Sequence, residues 1–352
     1  MNRVLFVSPV AFSGLHQRHQ SLAGELARRG WQVCFVDPLK TGGFSCTISK
    51  AAENLKVVRL RVPFKGNAWP AFQAIVARLA LLLLKTELAP HTGGDVLLWI
   101  AEPSLAHLSR RNWPAIVYDR CDLHGFFPGQ NWRVWQKYEE LLFARATLIS
   151  CSHPYLKQSL PEVARNKSVL AGNACADVFF EEHKFRQPVG SHLKLVSAGA
   201  HHEWVDSRWL EMLCNHGDIE LHLAGIGRGS DYQKLCRHPR VIHHGELDRS
   251  ALAELFKTCD VGLVAFKEIE LIKGVDPIKA YEYAASGLEI WSPPVASLRE
   301  NPLINRVIGC SSELEHAVSA FRRQPRQSPG NIVRWSDRLQ TILDRLTVLR
   351  SD

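Results

Sequence analysis

A short apolar run at residues 4–9 leads through a polar loop (Ser13-Gly14-Leu15-His16-Gln17) into a helical pattern over about residues 18–29, which Gly30 ends. A second apolar run follows at residues 32–36. This spacing of strand, helix and strand constrains the chain more than any other feature. The crossover is too long for a hairpin, so the two strands run parallel, and a parallel sheet has to be covered on both faces. Apolar runs at residues 96–100, 115–118 and 147–150 extend the sheet, with helical patterns between them. A second series opens at residues 193–199 and continues at 220–224, 240–243 and 261–265. The fold class is therefore α/β, with two doubly wound sheets. A chain of 352 residues fits two cores, and 46% hydrophobic residues against 22% charged ones of mixed sign is globular composition. Gly172, Asn173, Pro188 and Gly190 mark 172–190 as the linker. The predicted division is 1–172, 173–330 and a closing segment, 331–352.

Charge separates the halves. Residues 1–175 hold 21 of the 43 Lys+Arg but only 11 of the 35 Asp+Glu, so the first half carries the basic character of a chain whose net charge is +8. Such asymmetry suits an anionic surface, a phosphate-bearing acceptor or nucleic acid, or it is a solvated basic face. Nucleic acid is disfavoured, because no aromatic platform or recognised motif accompanies the charge. The nine cysteines are odd in number, run from Cys34 to Cys310 and never form a C-x-x-C pair, which argues against a disulfide framework and a structural zinc site. The apolar run after Met1-Asn2-Arg3 is too short for a secretory signal. A reducing, cytoplasmic location is the expectation.

Residues 68–88 are helical in pattern and contain Leu79-Ala80-Leu81-Leu82-Leu83-Leu84, flanked by Lys65, Arg78 and Lys85. The unbroken run is far below the roughly 20 residues of a membrane span. Two readings stay open: a helix buried in the core, or a basic-flanked helix lying on the anionic inner face of the cytoplasmic membrane.

The segment that speaks most directly to chemistry is Val275-Asp276-Pro277-Ile278-Lys279-Ala280-Tyr281-Glu282-Tyr283-Ala284-Ala285-Ser286-Gly287. Pro277 suits the first position of a helix, whose N-terminus would offer unbonded N–H groups and the Lys279 ammonium to a diphosphate. Glu282 lies at i+3 from Lys279, on the same face, where its carboxylate would accept hydrogen bonds from ribose hydroxyls. Gly287 would end the helix. By itself the pair is equally well a surface Lys/Glu pair. Ser197-Ala198-Gly199-Ala200 and Ala224-Gly225-Ile226-Gly227 add glycines directly after apolar strands, at the edge where open α/β sheets bind ligands. In the first half, Val117-Tyr118-Asp119-Arg120-Cys121-Asp122 places two carboxylates at a strand end. These are base candidates or loop carboxylates bonded to local N–H groups and Arg120. His243-His244 has no carboxylate or Cys at ligand spacing, and no metal is expected.

These residues resemble the GT-B glycosyltransferase superfamily: two Rossmann-like domains facing across a cleft, the first receiving the acceptor and the second a nucleotide sugar. His19-Gln20-Ser21-Leu22-Ala23-Gly24-Glu25-Leu26-Ala27-Arg28-Arg29-Gly30 is similar to the family's first helix. Gly199-Ala200-His201-His202-Glu203-Trp204-Val205-Asp206 is similar to its second-domain opening loop, and Asp276-Pro277-Ile278-Lys279 with Glu282-Tyr283-Ala284-Ala285-Ser286-Gly287 to its nucleotide helix. The resemblance implies that Lys279 meets the diphosphate and Glu282 the ribose, and that Gly199 and Gly225 leave room for donor backbone contacts; His201 and His202, beside Gly199, would reach the donor phosphates or serve only as capping or solvent-exposed groups. His16, Arg18 and His19 would border the acceptor, and Trp335-Ser336-Asp337-Arg338 would open a tail helix returning to the first domain. Two subtypes are in view. Many retaining members of the group-1 type carry an acid eight positions before the helix glutamate, where this chain has Gly274, with Glu270 or Asp276 as the substitute if the loop is shifted. The strand end at residues 117–122 is similar to the base position of inverting exopolysaccharide glucuronosyltransferases, which makes Asp122 the first base candidate and Asp119 the second. After Gly287 the family usually continues with an apolar residue or Lys and then Pro, whereas this chain has Leu288-Glu289-Ile290-Trp291.

The resulting expectation is a metal-independent, cofactor-free transfer from a UDP- or GDP-type sugar to a glycan or lipid-linked saccharide, in cell-surface polysaccharide synthesis. A sugar-nucleotide epimerase of the same shape and a silent GT-B binding subunit remain as alternatives. A dehydrogenase is poorly supported, since Gly225-Ile226-Gly227-Arg228-Gly229 lacks the G-x-G-x-x-G spacing.

Overall fold

In the computed structural model, which describes residues 2–65, 69–88, 96–180, 192–323 and 332–351, the chain divides into two compact units. Unit 1 comprises residues 1–172, 274–276 and 335–352, and unit 2 residues 173–273 and 277–334. The first change of unit falls between Gly172 and Asn173. Residues 181–190 of the expected linker and residue 330, the expected end of the second domain, lie outside the described residues.

Unit 1 is built from β1 (Arg3–Val7), α1 (Arg18–Arg28), β2 (Gln32–Val36), β3 (Lys40–Thr41), β4 (Ser45–Ala52), β5 (Leu55–Val62), α2 (Pro70–Leu83), β6 (Val96–Ile100), β7 (Ile116–Arg120), α3 (Trp132–Arg145), β8 (Leu148–Cys151), α4 (Pro154–Gln158), α5 (Glu162–Asn166) and β9 (Ser168–Leu170). The strand order is β3-β5-β2-β1-β6-β7-β8-β9, all parallel, with β4 added antiparallel to β5. Val4, Leu5, Phe6 and Val7 of β1 are at most 1% exposed, which explains why that strand reads as continuously apolar. Phe6 stacks between Phe35 and Trp99 at 5.5 and 5.4 Å. The β4–β5 hairpin is absent from the sequence reading, because most of β4 faces solvent and shows no apolar alternation.

Unit 2 is built from β10 (Leu193–His201), α6 (Ser207–Cys214), β11 (Ile219–Gly227), α7 (Ser230–Cys236), β12 (Val241–Gly245), α8 (Arg249–Thr258), β13 (Val261–Leu263), α9 (Ile278–Ala285), β14 (Glu289–Ser292), α10 (Ala296–Arg299), β15 (Arg306–Val307) and α11 (Ser311–Arg323). Its parallel order, β12-β11-β10-β13-β14-β15, is the 3-2-1-4-5-6 arrangement of dinucleotide-binding sheets. The direction of winding reverses between β10 and β13, which puts the ligand crevice of such a sheet at the carboxyl end of β10. The last helix, α12 (Trp335–Ser351), belongs to unit 1, where Arg29 donates to the Ser336 carbonyl at 2.9 Å and to Gln340 at 2.5 Å.

Among the described residues no helix is long and apolar enough to cross a membrane.

Candidate functional site

The carboxyl ends of β10 and β11 lie side by side in register, Gly199 against Gly225. Both glycines have positive φ, 112° and 117°, a backbone that side chains rarely adopt. Their reasons for being glycine differ. A Cβ on Gly225 would meet the Gly199 carbonyl oxygen at 2.0 Å, so Gly225 is required by the neighbouring strand. A Cβ on Gly199 would meet only Lys279 Nζ, at 3.9 Å. Gly199 therefore holds open the space in front of the ammonium, and Gly225 allows the two strand ends to approach.

Lys279 is placed by α9. Pro277 is the residue before the helix rather than its first turn, with an extended ψ of 109°. The first backbone bond of the helix runs from Ala280 N–H to the Pro277 carbonyl, at 3.0 Å. At the other end Gly287, at φ 70°, lets Leu288 N–H reach back to the Tyr283 carbonyl at 3.0 Å. Tyr283 locks the helix to the sheet: its ring packs on Gly262, where a Cβ would stand 2.2 Å away, and its hydroxyl accepts from Ala198 N–H at 2.8 Å. Lys279 thereby sits beside the β10 end, its ammonium 5.1 Å above the Phe266 ring. No carboxylate lies within ion-pair distance of it among the described residues. Burial pushes its pKa down to about 8, opposed by the charge of Glu282.

Glu282 is 12% exposed and faces Arg249 at 3.7 Å, the first residue of α8. Burial pushes its carboxyl up to about 7, with Arg249 and Lys279 pulling the other way. Arg249, itself stacked 5.8 Å over Phe179, is a candidate beside Glu282 that is absent from the sequence reading. No motif announces it, since it stands 33 positions before Glu282 and only the folding of α8 brings the two together. His201, at the end of β10, is buried, stacks on Tyr232 at 5.4 Å and shares a 2.9 Å hydrogen bond with Ser197 Oγ. Burial, then the nearby Lys279 charge, lowers its pKa to about 3, so it is neutral. His202 lies edge-on to Trp204 at 5.0 Å.

In unit 1 the structure corrects the expectations for Asp119 and Arg18. β7 runs on to Arg120, so Asp119 lies inside the sheet with no exposure rather than at its edge. Arg18 grips it with two guanidinium nitrogens, Nε at 2.9 Å and Nη2 at 2.8 Å, and also donates to the Gly172 carbonyl and to Ser150 Oγ, each at 3.0 Å. A carboxylate and a guanidinium so engaged form a buried tie rather than a base and an acceptor-binding group. Arg120 is likewise held, by Glu139 at 2.7 Å. His16 is exposed and bonded to Ser21 Oγ at 2.9 Å. His19 is buried; its Nε2 lies 3.4 Å from Cys121 Sγ, and its Nδ1 has no hydrogen-bond partner among the described residues. Burial lowers its pKa to about 4.

Asp122 lies just past the carboxyl end of β7 and is partly exposed. Burial of its surroundings raises its pKa to about 6, although His124, the Cys121 thiol and Arg18 favour the carboxylate. His124 is stacked on Trp135 at 5.5 Å, and its Nε2 also lacks a hydrogen-bond partner among the described residues. Asp122 thus has the chemistry of a proton acceptor near neutral pH, with His124 in its electrostatic neighbourhood. Among the described residues no group of three or more His, Cys, Asp or Glu is placed to hold a metal ion.

By sequence, no family model and no curated protein matches the chain. By structure it is similar to a sucrose-phosphate synthase from Thermosynechococcus elongatus, with a TM-score of 0.66 and 14% identity over 99% of this chain and 95% of that one. An α,α-trehalose-phosphate synthase (UDP-forming) from Burkholderia xenovorans, in complex with glucose-6-phosphate, gives a TM-score of 0.63 and 12% identity over 100% and 98%. A trehalose-6-phosphate synthase, described for glycosyl transfer with retention, gives 0.58 and 14% over 99% and 96%. Likeness at this identity shows the fold, and the chain has the GT-B fold of two Rossmann-like domains.

Proposed function

We propose that the chain is a glycosyltransferase that takes a sugar from a nucleoside diphosphate, UDP in the first instance, and joins it to a hydroxyl of a glycan or lipid-linked saccharide. The observation that carries this reading is Lys279: a half-buried ammonium without an ion-pair partner among the described residues, at the switch point of a dinucleotide-type sheet, facing the open space before Gly199. A diphosphate would supply the missing negative charge, and the first N–H groups of α9 would add donors. Glu282 beside Arg249 would accept from ribose hydroxyls. UDP is supported by the UDP-forming enzyme among the structural relatives.

In the transfer, the acceptor oxygen bonds to the anomeric carbon as the bond from that carbon to the diphosphate oxygen breaks. The acceptor's proton passes to Asp122 and the negative charge to the diphosphate, where Lys279 stabilises it. A base at Asp122 belongs to single displacement with inversion. Gly274, in the place where the retaining type carries an acid, supports inversion, whereas retention described for trehalose-6-phosphate synthase is the contrary precedent. The acceptor class rests on the resemblance of residues 117–122 to the exopolysaccharide type, and on the engagement of the Arg18 guanidinium by Asp119 rather than by an anionic acceptor group.

Incubation with UDP sugars and saccharide acceptors, followed by proton NMR of the product, tests this. Acceptor-dependent UDP release and an inverted anomer are expected. A retained anomer from a fully active Asp122→Asn variant would remove both base and inversion, and UDP binding without transfer would identify a silent binding subunit.

A further inference from the structure

The α2 helix carries an apolar face that no part of the described chain covers. Phe72, Ile75 and Leu82 are 49%, 44% and 63% exposed, and Trp69, immediately before the helix, is 67% exposed. With Leu79 they fall at positions 72, 75, 79 and 82, one stripe along the helix. Phe64 joins the stripe from the preceding segment, edge-on to Phe72 at 5.9 Å. The opposite face, Val76, Ala77, Ala80 and Leu84, is at most 1% exposed and anchors the helix to the unit. The helix thus exposes an apolar stripe opposite a buried face that is apolar apart from Gln73, which core packing alone does not call for.

Along the segment that carries the stripe the charges are of one sign, with Glu102 acting on Lys65 from outside it. Lys65, Arg78 and Lys85 flank it, and no acidic residue occurs from Lys65 to Thr86. A contact between two copies of this chain would bring these three cations against themselves. An anionic lipid surface would meet the cations with phosphate while taking Trp69, Phe72, Ile75 and Leu82 into the boundary between headgroups and acyl chains. Trp69 at one end also suits that boundary, where an indole has both an apolar body and an N–H to satisfy.

We propose that the exposed face of α2 docks unit 1 on an anionic membrane surface, with the helix lying in the interface. The inference does not depend on the donor chemistry of unit 2. It gives a lipid-linked acceptor a physical route to unit 1, because a docked enzyme meets its acceptor in two dimensions.

Flotation of the full chain with vesicles tests the proposal. Binding to phosphatidylglycerol vesicles and little to phosphatidylcholine vesicles is expected. Phe72→Ser with Leu82→Ser should abolish it, without a change in melting temperature, as both side chains are exposed. Arg78→Gln and Lys85→Gln should each weaken binding by on the order of fivefold, and added salt should do the same. The glutamine variants keep the test decisive if the serine variant fails to fold. Failure to float with phosphatidylglycerol overturns the proposal. So does a dimer in sedimentation velocity that the serine variant dissociates, which would make the stripe an interface between copies.

Discussion

Each unit presents a conspicuous cation near a strand end, and the two are used in opposite ways. In unit 1 Arg18 is 2% exposed and fully engaged, with Asp119 accepting from two of its nitrogens. In unit 2 Lys279 has an aromatic ring beneath it and no carboxylate within ion-pair distance among the described residues, although the charge of Glu282 acts on it. A guanidinium suits the first role because its planar fork fills several acceptors at once, and an ammonium suits the second because it is a point charge that meets whatever anion arrives. Charged residues in the first turns of α1 and α9 therefore divide into one tied to a carboxylate and one without an ion-pair partner among the described residues. The division is visible only in their partners.

Asp122 of unit 1, unlike Asp119, has no ion-pair partner among the described residues. Asp122→Asn should lower turnover by roughly two to four orders of magnitude while UDP affinity stays level. Steady-state kinetics beside calorimetric binding separates the two. Arg18→Leu should act on stability instead, costing about 3–5 kcal/mol by stranding Asp119 in the core, and adding Asp119→Leu should restore much of the loss. Denaturant unfolding measures both; a mild effect of Arg18→Leu alone would break the comparison. Lys279→Ala should leave the melting temperature unchanged or higher and weaken UDP binding by roughly tenfold to a hundredfold, the range of a hydrogen bond to a charged group. The glycines divide in the same manner: Gly225→Ala should destabilise by about 1–3 kcal/mol through its clash with Gly199, and Gly199→Ala should cost less stability and mainly donor affinity.

The smallest effects are in pH. Asp122, pushed up to about 6, has to be ionised to act, so kcat/KM should rise through about pH 6. Lys279, pushed down to about 8, loses its charge above that pH, so UDP affinity should fall there, and Lys279→Arg should carry the alkaline limb upward. Glu282 contributes with the opposite sign to a paired carboxylate. Its folded pKa of about 7 exceeds the ordinary 4.5, so the native state holds a proton the unfolded chain has lost, and stability falls as pH rises across that window. A Glu282→Gln variant with an unchanged profile would contradict this.

Much of the fold was legible because buried parallel strands leave continuous apolar runs: β1, β2, β6 and β13 lie where the sequence places them, within a residue or two. The β4–β5 hairpin was not, since a strand open to solvent on most positions carries no such signal. The placement of Lys279 and Glu282 on α9 was legible as helix-start signal, whereas β10 and β11 run on past Gly199 and Gly225 to His201 and Gly227. What sequence could not supply is pairing at a distance: Arg18 with Asp119 across 101 positions, or Arg249 with Glu282. The end of β7 was misread by two residues, and that was enough to move Asp119 from an apparent loop into the core.

The central claim is that unit 2 holds a nucleoside diphosphate through Lys279. It is tested most directly by thermal-shift titration of the full chain with UDP, GDP, ADP and CMP, in wild type and in Lys279→Ala, because a ligand that binds only the folded state raises its melting temperature. Stabilisation by UDP that exceeds that by CMP and is lost in the variant is expected. Equal stabilisation of wild type and variant, or none by any nucleoside diphosphate, would contradict it.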